Sequence, residues 1–162
     1  LEPFNYSRKI IGFDTFEGFV GTHKADGKHE IIEDGAFSVT DGYETYLDEV
    51  LAYHESEAPL DHIKKYEIKK GDAVVELEKY LTEHPETIIA LAYFDFDIYQ
   101  PTKKCLEMIK PFLTKGSIIG FDELNDPQFP GETVALREAF GTNSIQIQRS
   151  PYSGIQSFFT YS

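Results

Sequence analysis

Apolar and polar positions alternate along this chain in two periods, and their succession predicts the order of its elements. The run 88–97 (IIALAYFDFD) is almost wholly apolar until it stops on two acids spaced by one residue, Asp95 and Asp97. Short apolar runs of this kind read as buried strands. A second run, 117–123 (SIIGFDE), ends the same way on Asp122 and Glu123, and the helix-like stretch PTKKCLEMIKPFLTKG separates the two. Strand, helix, strand implies a right-handed crossover to a parallel neighbour. The carboxyl ends of both strands then share one sheet edge, the edge where open α/β sheets bind ligands. Four acids would converge there, within reach of one hard divalent cation.

The other segments build a scaffold around that edge. Residues 8–16 (RKIIGFDTF) read as a buried strand ending on Asp14. Residues 17–40, rich in Gly, His and charge, read as a long surface loop of the kind that serves as a substrate lid. His23 and His29 lie in it without a structural context that would make either a ligand or a base. Residues 41–57 form an amphipathic helix, with Tyr43, Tyr46, Leu47, Val50, Leu51 and His54 on one core-facing side and Asp41 with Glu44 as a capping box. A short strand at 65–71 leads through Gly71 into a helix capped by Asp72, with Val74, Leu77 and Leu81 as its buried stripe. Pro101 suits a first helical turn, Pro111 ends that helix, and Gly116 marks the turn into the strand at 117. The loop NDPQFPGET precedes a helix at 133–140 closed by Gly141, and alternating runs at 144–148 and 156–161 around RSPYSG predict an antiparallel hairpin. The fold class is α/β, a mostly parallel sheet ending in a hairpin, in one domain over 1–162.

Composition narrows the partners. The chain has 162 residues, 41% hydrophobic and 27% charged, as expected of one globular domain with a real core. A net charge of −13 argues against nucleic acid or an anionic membrane surface, both of which need basic patches. Cys105 is the single cysteine, which excludes an intrachain disulfide and a cysteine-rich zinc site. Its place on an apolar helix face makes it a core residue. With neither a signal peptide nor a membrane-length apolar run in the sequence, a cytoplasmic protein is expected. Asp14 has two readings: an acceptor for a ribose diol at a strand end, or a loop carboxylate capping nearby amides.

Five motifs in order, GFDTFEGF at 12–19, KKGD at 69–72, YFDFDIYQPT at 93–102, IIGFDELNDPQFPGET at 118–133 and the terminal RSPYSG, together resemble the macrocin O-methyltransferase type of S-adenosylmethionine-dependent methyltransferases. That family includes sugar O-methyltransferases of macrolide and aminocoumarin biosynthesis. The resemblance implies a class I methyltransferase sheet with a reversed last strand, S-adenosylmethionine as cofactor, and Mg²⁺ or another hard divalent cation. It implies metal ligation by Asp95, Asp122 and Glu123, with Asp97 ordering the loop or approaching the acceptor. The family commonly ends its second strand in two aspartates or Asp-Asn, so Glu123 departs from the usual form. Asp14 and Phe16 would lie by the cofactor ribose, and Gly71 and Asp72 by the adenine. The acceptor would be a hydroxyl of a sugar or small natural product, and a homo-oligomer is expected from the family alone.

In that family a first strand with a Gly-rich turn precedes the GFDTFEGF motif and lies between the strands at 8–16 and 88–97. No counterpart precedes Arg8 here, so an N-terminally truncated domain is expected, with two strands left short of a neighbour. A contrary reading makes KIIGFDTF itself the first strand and EGFVG the glycine turn. Two further functional readings stay open: a nucleotide-sugar glycosyltransferase using the D-x-D pair at Asp95 and Asp97, and a catalytically silent interaction module. For the methyltransferase, Asp95 and Asp97 are the candidate catalytic acids, either of which could take the acceptor's proton.

Overall fold

The computed structural model describes residues 4–162. Its elements follow the predicted order: β1 (Ile10–Asp14), α1 (Tyr43–Ser56), β2 (Tyr66–Lys70), α2 (Ala73–Glu83), β3 (Ile89–Phe94), α3 (Tyr99–Ile109), β4 (Leu113–Phe121), α4 (Gly131–Phe140), β5 (Gln148–Arg149) and β6 (Ser157–Thr160). β3 and β4 pair in parallel across α3, as the strand–helix–strand pattern requires. β6 returns antiparallel to β4 and carries β5 on its other side, again antiparallel. β1 pairs with β2 in a separate parallel ladder, so the strands form two sheets, β1-β2 and β3-β4-β6-β5. Among the described residues no ladder joins β1 to β3. Each keeps one strand edge unpaired, and Leu91 of β3 and Ile10 of β1 are 63% and 77% exposed.

The core lies where α3 and α4 pack on the four-stranded sheet. Leu106, Ile119, Phe121, Leu136 and Phe159 are almost completely buried there, and Phe94, Phe121 and Phe159 stack across neighbouring strands. Cys105 sits in the same core, its thiol pushed up to about 12 by burial, as expected of a structural cysteine. On α2, Asp72 accepts from the Val74 and Val75 amides at 2.8 and 3.4 Å, so the predicted N-cap is formed. Among the described residues no helix is long and apolar enough to cross a membrane.

Several local expectations are corrected. The capping box at Asp41 and Glu44 does not form: Gly42 is the N-cap without a side-chain bond, and Glu44 pairs instead with Lys70 at 2.5 Å. No residue of α1 is fully buried, and Tyr46 remains 59% exposed, so the tyrosine face does not enter the core. Gly116 is not a turn before β4 but lies inside it, at φ 98°, where the register slips between Ile89–Leu113 and Leu91–Ile118. Only glycine adopts that backbone without strain, so the bulge forms where a turn was read. The first arm of the hairpin shrinks to β5, and Ser144 falls in a short 3₁₀ turn.

Candidate active site

The ends of β1, α2 and β3 open onto one cleft of about 970 Å³. Its walls include Asp14, Phe16, Asp72, Asp95, Asp97 and Glu123, but neither Gly71 nor Asp122. Ile11, Gly12 and Phe13 of β1 line it together with Tyr93 of β3, so the cleft reaches both unjoined strands. Gly71 contributes from behind: its amide donates to the Asp14 carbonyl at 2.9 Å and ties the end of β2 to the end of β1.

Each acid sits in a distinct environment. Asp14 Oδ1 accepts from the Phe16 amide at 2.6 Å, which supplies the amide-capping role, and Phe16 takes a left-handed backbone at φ 61°. A carboxylate retains acceptor capacity beyond one such bond, so capping leaves the ribose role open. Asp95 is raised above the ordinary carboxyl range by burial, and further by Asp122 and Asp14. Asp122 is turned toward the sheet: Tyr93 Oη donates to its Oδ1 at 2.6 Å and Gln156 Nε2 at 3.1 Å. That reach is possible because Tyr93 lies opposite Gly120, where any Cβ would stand 2.9 Å from the ring. Burial and the Asp122 charge hold the Tyr93 phenol above its usual range.

Asp97 and Glu123 instead meet each other. Their carboxyl groups hydrogen-bond, and burial pushes Asp97 up to about 6 and Glu123 to about 7. Two carboxylates in contact hold a proton between them unless a cation replaces it. Asp97 has a left-handed backbone at φ 59°, a strained conformation for a non-glycine residue and one that clusters at functional sites. Glu123 Oε2 is buried with no hydrogen-bond partner. Among the described residues no three acid, histidine or cysteine side chains converge tightly enough to hold a metal ion. The close pair is Asp97–Glu123, with Asp95 and Asp122 near enough for their charges to raise Asp97 further. The donor chemistry nevertheless fits a hard cation, being all oxygen and including that orphaned Glu123 oxygen.

Two buried carboxylates that sequence reasoning missed support this arrangement. Asp26, 1% exposed, ends a short 3₁₀ turn and accepts from the Tyr99 amide at the start of α3 at 2.5 Å. It also accepts from the His23 amide, and the His23 ring stacks on Tyr99 with centroids 5.0 Å apart. This part of the 17–40 loop is therefore a pinned wall and not a swinging lid. The His29 ring contacts Phe129, and its Nδ1 accepts from the Ile31 amide. Glu132, completely buried in the first turn of α4, is the second missed acid. Burial pushes it up to about 8, against the pull of backbone amides that donate to it. An acid early in a helix ordinarily signals only dipole compensation, so nothing in the sequence marked either carboxylate as buried.

Between them Gly131 brings α4 against the loop. A Cβ there would stand 2.7 Å from Asp26 Oδ1, the Asp97 carbonyl and the Tyr99 amide. Gly131→Ala is expected to destabilise the fold by roughly 1–3 kcal/mol, because two of those neighbours are backbone. Chemical denaturation of both proteins would measure it, and an unchanged midpoint would show that the loop gives way freely.

No family model matches the chain, and no curated protein matches it. Solved structures do. One, described as the calicheamicin methyltransferase CalS11, is 41% identical with a TM-score of 0.95, covering 99% of this chain and 63% of its own. The apo structure of CalS11, described as a TDP-rhamnose 3'-O-methyltransferase in calicheamicin biosynthesis, is 38% identical with a TM-score of 0.83, covering 99% of this chain and 61% of its own. The O-methyltransferase NovP, at 14% identity and a TM-score of 0.63 over 96% of this chain and 61% of its own, shares the fold. The chain thus spans less than two thirds of the length of the relatives it matches. With the α/β sheet, the reversed last strand and 41% and 38% identity to these methyltransferases over 99% of its residues, the chain fits the family that its motifs resemble.

Proposed function

We propose that this chain carries the cofactor- and acid-bearing part of an S-adenosylmethionine-dependent O-methyltransferase acting on a hydroxyl of a sugar or small natural product. The observation that supports it most directly is the convergence of Asp14, Asp72, Asp95, Asp97 and Glu123 on one cleft, in a chain 41% identical to a methyltransferase over almost its full length. S-adenosylmethionine, when bound, supplies an electrophilic methyl group. Asp14 and Phe16 would meet its ribose, and the Gly71–Asp72 turn its adenine end. The Asp72 carboxylate is engaged as the α2 cap, so its part is to fix that turn. A divalent cation held by Asp95, Asp122 and Glu123, Mg²⁺ or another hard ion, would lower the pKa of the acceptor hydroxyl. Asp95 or Asp97 would take the proton of the acceptor hydroxyl. The pinned wall at His23–Asp26 keeps one side of the cleft rigid for in-line positioning.

The same reading places one more extended strand between β1 and β3. Unpaired edges on both, with an apolar residue exposed on each, support it. These edges also make association into a homo-oligomer part of the proposal, and a cytoplasmic location accompanies it. A D-x-D glycosyltransferase explains Asp95 and Asp97 but not the β6 return or the relatives.

Titration of S-adenosylhomocysteine by calorimetry tests the reading, on this chain and on one extended to the length of its relatives. Binding by the extended chain alone would support the methyltransferase with a required extra strand. Binding by both would make KIIGFDTF the first strand. Binding by neither would favour the silent interaction module.

A further inference from the structure

Glu132 is a buried acid that the proposed chemistry leaves unused. Its Oε1 accepts from the Phe96 amide at 3.2 Å and the Asp97 amide at 3.4 Å, both in the loop that ends β3. Its Oε2 accepts from the Glu123 amide at 3.3 Å, at the end of β4. It is fully buried, and it lies on α4, outside both strands it touches. The capping position before α4 is Pro130, which makes no side-chain bond, so Glu132 reaches away from its own helix.

We propose that Glu132 is the positioning residue of the site, one side chain that sets the spacing and backbone direction of the two acid-bearing strand ends. The β3–β4 ladder alone cannot do this. Its last register pair is Phe94–Phe121, and past it the one backbone bond across among the described residues runs from the Asp122 amide to the Phe94 carbonyl at 3.1 Å. From Asp95 onward no ladder pairs the two chains, and Asp97 has a left-handed backbone while its carboxyl meets Glu123. Strained conformations persist only where the surroundings over-determine them. The amide bonds of Asp97 and Phe96 to Glu132 supply that constraint at the strained residue and the one before it. Gly131 allows the approach, since its missing Cβ leaves room for the Asp97 carbonyl. The consequence for reactivity rests on the methyltransferase reading; the spacing device does not.

Amide hydrogen exchange by NMR on this chain separates the two. Glu132→Ala is expected to accelerate exchange of the Phe96, Asp97 and Glu123 amides by roughly tenfold or more while the core of α3 stays protected. Glu132→Gln keeps the size and one acceptor oxygen but turns an NH₂ toward the other side, so it should restore one strand end and leave the other fast. If Glu132→Ala fails to fold, the Gln variant carries the test alone. Protection of all three amides in Glu132→Gln, or a uniform loss across the chain, would overturn the proposal. Loss confined to one strand end upholds it, and does so whether or not S-adenosylhomocysteine binds in parallel calorimetry. Fast amides with no cofactor binding even by a chain of the relatives' length would leave the positioning role standing and remove the reaction.

Discussion

Asp95→Ala is expected to lower divalent-cation-dependent methyl transfer roughly a hundredfold or more, with the fold intact. Asp95 lines the cleft just past the end of β3, and among the described residues no hydrogen bond to its carboxylate ties the strands together. Its removal should therefore cost chemistry and not stability. The carboxylate is also the one in the D-x-D pair that is not tied to Glu123, which leaves it available to the acceptor or to a cation. The assay is methyl transfer by a chain of the relatives' length, with and without Mg²⁺, beside a thermal melt of the same variant. Unchanged turnover would remove Asp95 from the mechanism and shift the proton-accepting role to Asp97. A drop in turnover that is the same with and without added cation would keep Asp95 as a base and discard it as a ligand.

Stability should fall as pH rises, the reverse of an ordinary salt-bridged carboxylate. Burial raises Glu132 to about 8, with Asp97 raised to about 6 and Glu123 to about 7. The folded chain therefore keeps protons that the unfolded chain releases in the ordinary carboxyl range. Their contribution is fully present below about pH 4 and is lost progressively as pH climbs through about 6 to 8. For the completely buried Glu132 the loss is on the order of 3–5 kcal/mol, or a melting temperature lower by about 6–20 °C. Repulsion within a chain of net charge −13 acts in the same direction. A cation that binds the ionised acids should oppose the trend, so Mg²⁺ is expected to raise the melting temperature at about pH 8 but not at about pH 5. Thermal melts over that range measure both effects, and Glu132→Gln should flatten the profile. A melting temperature that rises with pH would mean these acids are ionised and well paired in the folded state. No response to Mg²⁺ at high pH would count against the cation site.

The order of elements and the acids at strand ends were legible from the sequence because both are local properties. An apolar run of strand length stops where its acids begin, as at Phe94 before Asp95, and Asp72 caps the helix that immediately follows it. The five motifs implied the reversed β6, and alternation around RSPYSG predicted its antiparallel pairing with the preceding run. What the sequence misjudged depends on distant partners. The tyrosines of α1 have helical spacing, yet spacing names a face without saying what covers it, and that face stays outside the core. Nor does the sequence mark the bond that Asp122 accepts from the Tyr93 phenol, which a glycine opposite Tyr93 makes room for.

Asp26 and Glu132 look like two more solvated acids in an acidic chain, until the tertiary structure buries them against the amides of Tyr99, Phe96, Asp97 and Glu123. The sequence by itself determined which residues stand at the carboxyl ends of the strands, because strand period and helix capping act within a few residues. The tertiary structure alone decided which of those acids meet, since a buried polar group is held by whichever donor lies nearest in space, and that donor is 73 residues away for Asp26 and up to 36 for Glu132.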